Sequence, residues 1–135
     1  MHVSDVPHTG LDAEMGLRVV ALEEDRVAAR LPITPRLLAP NGQVHHGVIS
    51  SAIESIASIA AAAYLGDRGN VVGVSNTTSH FLAVSAGTLD VVAEPVSRLD
   101  ERQLWTVRVT DEAGELLAQG NVQLANVRDA SQLGA

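Results

Sequence analysis

A chain of 135 residues and 14.1 kDa can close one hydrophobic core and is too short for two of ordinary size. With 46% hydrophobic and 19% charged residues it buries enough apolar surface to offset its ordering entropy, which excludes intrinsic disorder. Its 9 basic residues are all arginines; set against 16 carboxylates they leave a net charge of −7, which repels phosphate backbones, and Trp105, Tyr64 and Phe81 are too few to stack bases, so nucleic acid is excluded as a partner.

No cysteine is present, so disulfides, thiolate nucleophiles and Cys-ligated metals are excluded. Met1 to His8 lacks the basic patch and apolar run of a signal peptide, and a cytoplasmic address is the expectation. Residues 1–9 and 128–135 read as loose tails of a single domain. Leu11 to Met15 reads as a short helix or turn ending at Gly16. Leu17 to Leu22 and Arg26 to Ile33, on either side of the acidic turn Glu23-Glu24-Asp25, form a predicted hairpin. Pro35, Pro40 and Asn41-Gly42 make 34–44 a loop. From Gly47 to Leu65 the period changes: Ile49, Ile53, Ile56 and Ala60 recur every three or four residues, while Ser51, Glu54, Ser55 and Ser58 form a second stripe, which predicts one long helix. Four β-rich runs follow: Val71 to Leu82, Thr88 to Ser97, Gln103 to Asp111 and Glu115 to Val127.

Val48 to Leu65 is about long enough to cross a bilayer, but Glu54 near its middle, with Ser50, Ser51, Ser55 and Ser58, is costly in hydrocarbon, so no membrane association is expected. The order β-β-α-β-β-β-β predicts an α+β domain: an antiparallel sheet of about six strands wrapped around one apolar helix. Ala57, Ala60, Ala61, Ala62 and Ala63 would let that helix lie close to a curved sheet, and they also raise helix propensity.

Polar groups concentrate in Asn41-Gly42-Gln43-Val44-His45-His46-Gly47, where the amides and dipole of a helix N-terminus favour a developing oxyanion. Two turns further on, Glu54 sits inside an apolar helix and needs a partner, a hydrogen bond or a proton. Solvation, or a bond to Ser50 or Ser58, is the purely structural reading. Metal ligation by His45, His46 and Glu54 does not match the His-x-x-x-His spacing, and no metal is expected.

His45-His46-Gly47-Val48-Ile49 followed by Ala52-Ile53-Glu54-Ser55-Ile56-Ala57-Ser58 resembles the His-Gly-Gly signature and carboxylate helix of hotdog-fold thioesterases, of the glutamate-using 4-hydroxybenzoyl-CoA, 1,4-dihydroxy-2-naphthoyl-CoA and phenylacetyl-CoA type. Val72 to Phe81, Gly87, Trp105 and Asp111 to Leu116 are similar to later segments of those enzymes, so the resemblance spans roughly residues 11 to 127. It implies a hotdog fold, a dimer or dimer of dimers, and an acyl-CoA or acyl-carrier thioester as substrate, often aromatic or of medium length; no cofactor is implied beyond the coenzyme A of the substrate. By position, Glu54 is nucleophile or general base, His45 orients the thioester, the amide of His46 beside Gly47 polarises its carbonyl, and Ser58 positions water or the carboxylate.

Position 46 and Glu54 stand eight residues, about 12 Å, apart along the helix. Attack needs contact at about 3 to 3.5 Å, so if both serve one carbonyl the carboxylate comes from a neighbouring chain. The sequence departs from the family at four places. His46 replaces the first glycine of His-Gly-Gly, and Ala39 replaces a carbonyl-polarising glutamine for which Asn41 or Gln43 could substitute. Leu82 replaces an arginine, and Leu99-Asp100 a Gly-Ser turn, both near the nucleotide tail. Ser75, Asn76, His80, Arg98 and Arg102 are the remaining candidates for substrate contact, the arginines through bidentate phosphate binding, with a surface ion pair as the purely structural reading of each arginine. The competing reading is a hotdog module that binds an acyl thioester without cleaving it.

Overall fold

The computed structural model describes residues 1–128. Six strands, β1 Arg18–Glu23, β2 Arg26–Pro32, β3 Asn70–His80, β4 Thr88–Arg98, β5 Arg102–Thr110 and β6 Leu116–Val127, form one antiparallel sheet. Their order is β1-β2-β4-β5-β6-β3, so the strand that follows the long helix crosses to the far edge. Short helix α1 is Gly10–Met15 and long helix α2 is His46–Leu65, the latter packed against β2 to β6. This is the hotdog arrangement that the resemblance implies.

The apolar stripe of α2 explains its seat. Ile49, Ala52, Ile53, Ile56, Ala57, Ala60 and Ala61 are buried against Leu31, Leu89, Val91, Trp105, Val107, Leu117, Val122 and Leu124 of the sheet. Each large side chain so buried contributes roughly 1.5–3 kcal/mol. Ala57, Ala60 and Ala61 face the sheet as expected, whereas Ala62 and Ala63 are only half-buried. Gly120 of β6 lies under the helix: a Cβ there would stand 2.7 Å from Ile53 Cγ2 and 2.8 Å from Thr78 Oγ1. The helix passes the length and hydropathy test for a membrane span, and in this fold it is the core helix.

Two side-chain amides fasten α2 to the sheet. Asn76 of β3 donates from Nδ2 to the Ser50 carbonyl at 3.0 Å, with its own Oδ1 held by Thr78 Oγ1 at 2.7 Å. Eleven residues along, about 16 Å, fully buried Gln103 donates to the Ala61 carbonyl at 3.2 Å and accepts from Trp105 Nε1 at 2.8 Å.

The elements match the sequence reading within two residues at most boundaries, with additional 3-10 turns at Val3–Asp5, Pro35–Leu37 and Gly66–Arg68. The first lies within the expected N-terminal tail: the His2 N–H bonds Asp5 Oδ2 at 2.8 Å, and the segment rests beside β1, where Val6 and Pro7 share a recess with Ile56 and Ile59. An apolar flank of α2 left bare by the sheet gives these residues something to cover. The expected C-terminal tail lies outside the described residues, apart from Arg128.

Candidate active site

Local hydrogen bonding sets the geometry at the start of α2. His45 is the N-cap in extended conformation, and its Nδ1 accepts the Gly47 N–H at 2.8 Å. With Nδ1 an acceptor, the neutral ring carries its proton on Nε2, which faces away as a donor. The Val48 and Ile49 N–H groups donate to the His45 carbonyl at 3.0 and 3.4 Å. Of the amides from 46 to 49, the His46 N–H alone has no acceptor among the described residues. An unpaired donor at the positive end of a 20-residue helix suits a partly negative carbonyl oxygen. Gly47 is needed for the close approach: a Cβ there would stand 2.8 Å from His45 Nδ1 and 3.0 Å from its Cε1.

Two clefts flank this helix start. One, of about 250 Å³, is lined by Asn41, Gln43, His45, His46, Ile49 and Leu82 to Val84. The other, of about 350 Å³, lies toward α1 and is lined by Leu11, Met15, Leu37, His45, Gly47, Val48 and Ser51, with Glu14 and Arg36, paired at 3.2 Å, also in its wall. Asn41 shapes the turn before the helix, its Oδ1 accepting the Gln43 N–H at 3.1 Å.

Glu54 lies on the open face of α2. It is exposed and has no ion-pair partner among the described residues. At 100° per residue it shares an outward stripe with Gly47, Ser51 and Ser58, turned away from the sheet. It is therefore neither paired nor buried in the chain. Ser58 is half-buried one turn beyond it, and Ser55, not Ser58, makes the strong bond, donating to Asp12 Oδ1 of α1 at 2.6 Å.

The structure brings only some of the remaining candidates to the helix start. Asn76, Thr78 and His80 alternate onto the helix-facing side of β3, and the His80 ring stacks on His46 with centroids 3.7 Å apart and planes 3° from parallel. Burial, then the neighbouring His46, lower the His80 pKa, and its Nδ1 is buried without a partner. Ser75, one residue from Asn76, is exposed on the opposite face, as strand alternation requires. Arg98 is a clearer departure: its guanidinium bonds the Glu24 carbonyl at 3.1 Å and Asp25 Oδ1 at 2.8 Å and lies 4.2 Å over the Tyr64 ring. Tyr64 stands 18 residues beyond His46, about 27 Å along α2, so Arg98 clamps the other end of the helix within the chain. Arg102, exposed at the start of β5, belongs to that end too.

Asp12 and Gln103 escaped the sequence reading. Gln103 left a signal, since it occupies a core slot in the alternation Gln103, Trp105, Val107, Val109. Asp12 left none, its partner being 43 residues away.

Known proteins share the fold and the family of this chain. The family model described as the thioesterase superfamily matches residues 41–118. The chain is 43% identical over 119 residues to a Mycobacterium tuberculosis protein that carries an esterase name, covering 86% of this chain and 85% of that one. It is 28% identical over 116 residues to the 1,4-dihydroxy-2-naphthoyl-CoA hydrolase of Listeria monocytogenes, covering 86% and 94%. The crystal structure of AziG from S. sahachiroi superposes with a TM-score of 0.88 at 40% identity, covering 91% of this chain and all of that one.

Proposed function

This chain belongs to the thioesterase superfamily, a family of thioester hydrolases, and from that premise we propose that it hydrolyses acyl-CoA, or acyl-carrier, thioesters at a site shared by two copies of itself in the cytoplasm. The observation that carries the reading is the His46 N–H, the one amide of the helix start without an acceptor, set beside a glycine-fitted His45 ring.

In this reading the thioester carbonyl accepts from the His46 N–H and the His45 Nε2–H, which stabilise the oxyanion. Its acyl group, aromatic or of medium length, enters the apolar cleft of Leu11, Met15, Leu37 and Val48, while the amide-bearing thiol arm lies along Asn41 and Gln43. The partner's Glu54 attacks the carbonyl carbon or activates water, and Ser58 lies beside that carboxylate. No cofactor is needed beyond the coenzyme A that leaves as the thiol.

Dimer geometry follows from the same spacing. Residue 50 is the midpoint of 46 and 54, so an antiparallel copy of α2 about a two-fold axis near Ser50 brings the partner's Glu54 opposite residue 46. Asn76 ties Ser50 to β3, an 11-residue edge strand whose bulged Val74 is 65% exposed. Such an edge invites pairing with its own copy, which would join the two six-stranded sheets.

A panel of aromatic and aliphatic CoA thioesters, read by a thiol-detecting dye, tests the activity. Thiol release that disappears in Glu54→Gln supports the reading. Binding without release across the panel favours a non-catalytic acyl-thioester module.

A further inference from the structure

His46 puts a side chain where close backbone approach would favour glycine, on the very residue whose N–H is unpaired. An imidazole on the first residue of a helix has three staggered χ1 wells to choose from, and nothing in its own turn fixes it. In the structure it is fixed from outside, by the flat face of His80 at the end of β3.

We propose that His80 is a positioning residue: by stacking face to face it parks the His46 imidazole on the β3 side of α2 and so keeps the His46 N–H open to the substrate carbonyl. The proposal rests on the reading of that N–H as the carbonyl donor.

Three observations carry it. The rings are 3.7 Å apart and parallel to within 3°, closer to full overlap than the usual offset or edge-on arrangement, so the contact is a specific seat. His46 and Gly47 are 100° apart around the helix, so a His46 ring drawn toward β3 leaves the stripe of Gly47, Ser51 and Glu54 uncovered. The buried His80 Nδ1 has no partner among the described residues, so protonating it would strand an N–H, which disfavours the charged ring beside His46. On the same face of β3, Asn76, braced by Thr78, ties the strand to the Ser50 carbonyl of the helix.

The test is a double-mutant cycle on the full-length protein: wild type, His80→Ala, His46→Gly and the double variant, assayed for thiol release from CoA thioesters. His80→Ala is expected to lower kcat/KM about 10-fold or more, mainly through KM as the loose ring competes for the mouth, and to lose less than about 2-fold when made in the His46→Gly background. His80→Phe, which keeps a flat ring, is expected to recover most of the loss. An equal loss in both backgrounds, no loss in the first, or a Phe variant as impaired as Ala overturns the proposal. A readout independent of turnover is the NMR shift of the His46 ring protons, displaced upfield in wild type and released in His80→Ala; no displacement in wild type also overturns it. Failure of the wider reading is separate, because it shows as undiminished hydrolysis by Glu54→Gln whatever the cycle gives.

Discussion

The Gly47 N–H holds the His45 ring at 2.8 Å, and a methyl group at Gly47 would occupy the space beside that nitrogen. Gly47→Ala is therefore expected to displace the His45 ring, lowering kcat about 10-fold or more while the melting temperature moves little, since the residue is exposed. Steady-state kinetics beside a thermal melt checks both halves. Glu54→Gln, on an exposed face with no partner to strand, should cost at least about 100-fold in kcat and leave stability unchanged. His80 acts on stability. Its pKa is lowered in the fold by burial and then by His46, so below the ordinary value of 6.5 the unfolded chain binds more protons than the native one. Stability contributed by neutral His80 is complete above about pH 6.5 and is lost as pH falls from there toward the lowered value. Denaturant titrations from pH 7.5 to 5 should show that loss, reduced in His80→Phe. At this scale the sequence put His45 and His46 at the start of the helix that carries Glu54, because their spacing is local. The partners of Arg98, Asp25 and Tyr64, are distant in the chain and are brought to it only by the folded sheet and helix, so the numbering alone did not name them.

Elements were legible where a period ran long enough. The 3.6-residue stripe of α2 and the two-residue alternation of β4, β5 and β6 each survive into burial almost unchanged. Less legible was the end of β3: it was expected to run to Leu82, yet the strand stops at His80, before the apolar Phe81 and Leu82, whose N–H groups both turn to the Leu117 carbonyl at 2.7 and 3.3 Å. The bulge at Val74 and the 3-10 turns were hidden as well, since backbone bonds there override side-chain pattern. Contact between α2 and β6 depends on Gly120, where no Cβ fits between Ile53 and Thr78. Gly120→Val is expected to destabilise the fold by about 2 kcal/mol or more through overpacking. Chemical denaturation would show it as a lower midpoint at constant m-value, and an unchanged midpoint would mean that the helix can lift from the sheet without cost.

For the whole molecule, the proposed mechanism asks for more than one chain. The proposed amide donor and carboxylate lie about 12 Å apart on one helix, and β3, the longer edge strand, has no partner on its outer side among the described residues. The sequence carried the first fact in its numbering. It did not carry the second, because which strand ends a sheet depends on the crossover of β3 past β4, β5 and β6. Val74→Lys on that edge should weaken self-association, and activity should fall with it on dilution, as sedimentation and assay at matched concentrations would reveal. The most direct measurement mixes two inactive variants, Glu54→Gln and Gly47→Ala combined with His45→Ala, after subunits have exchanged. Half of the dimers would then pair an intact helix start with an intact carboxylate, restoring one site in two and about a quarter of wild-type hydrolysis. Mixtures no more active than their parts would contradict a site divided between two copies.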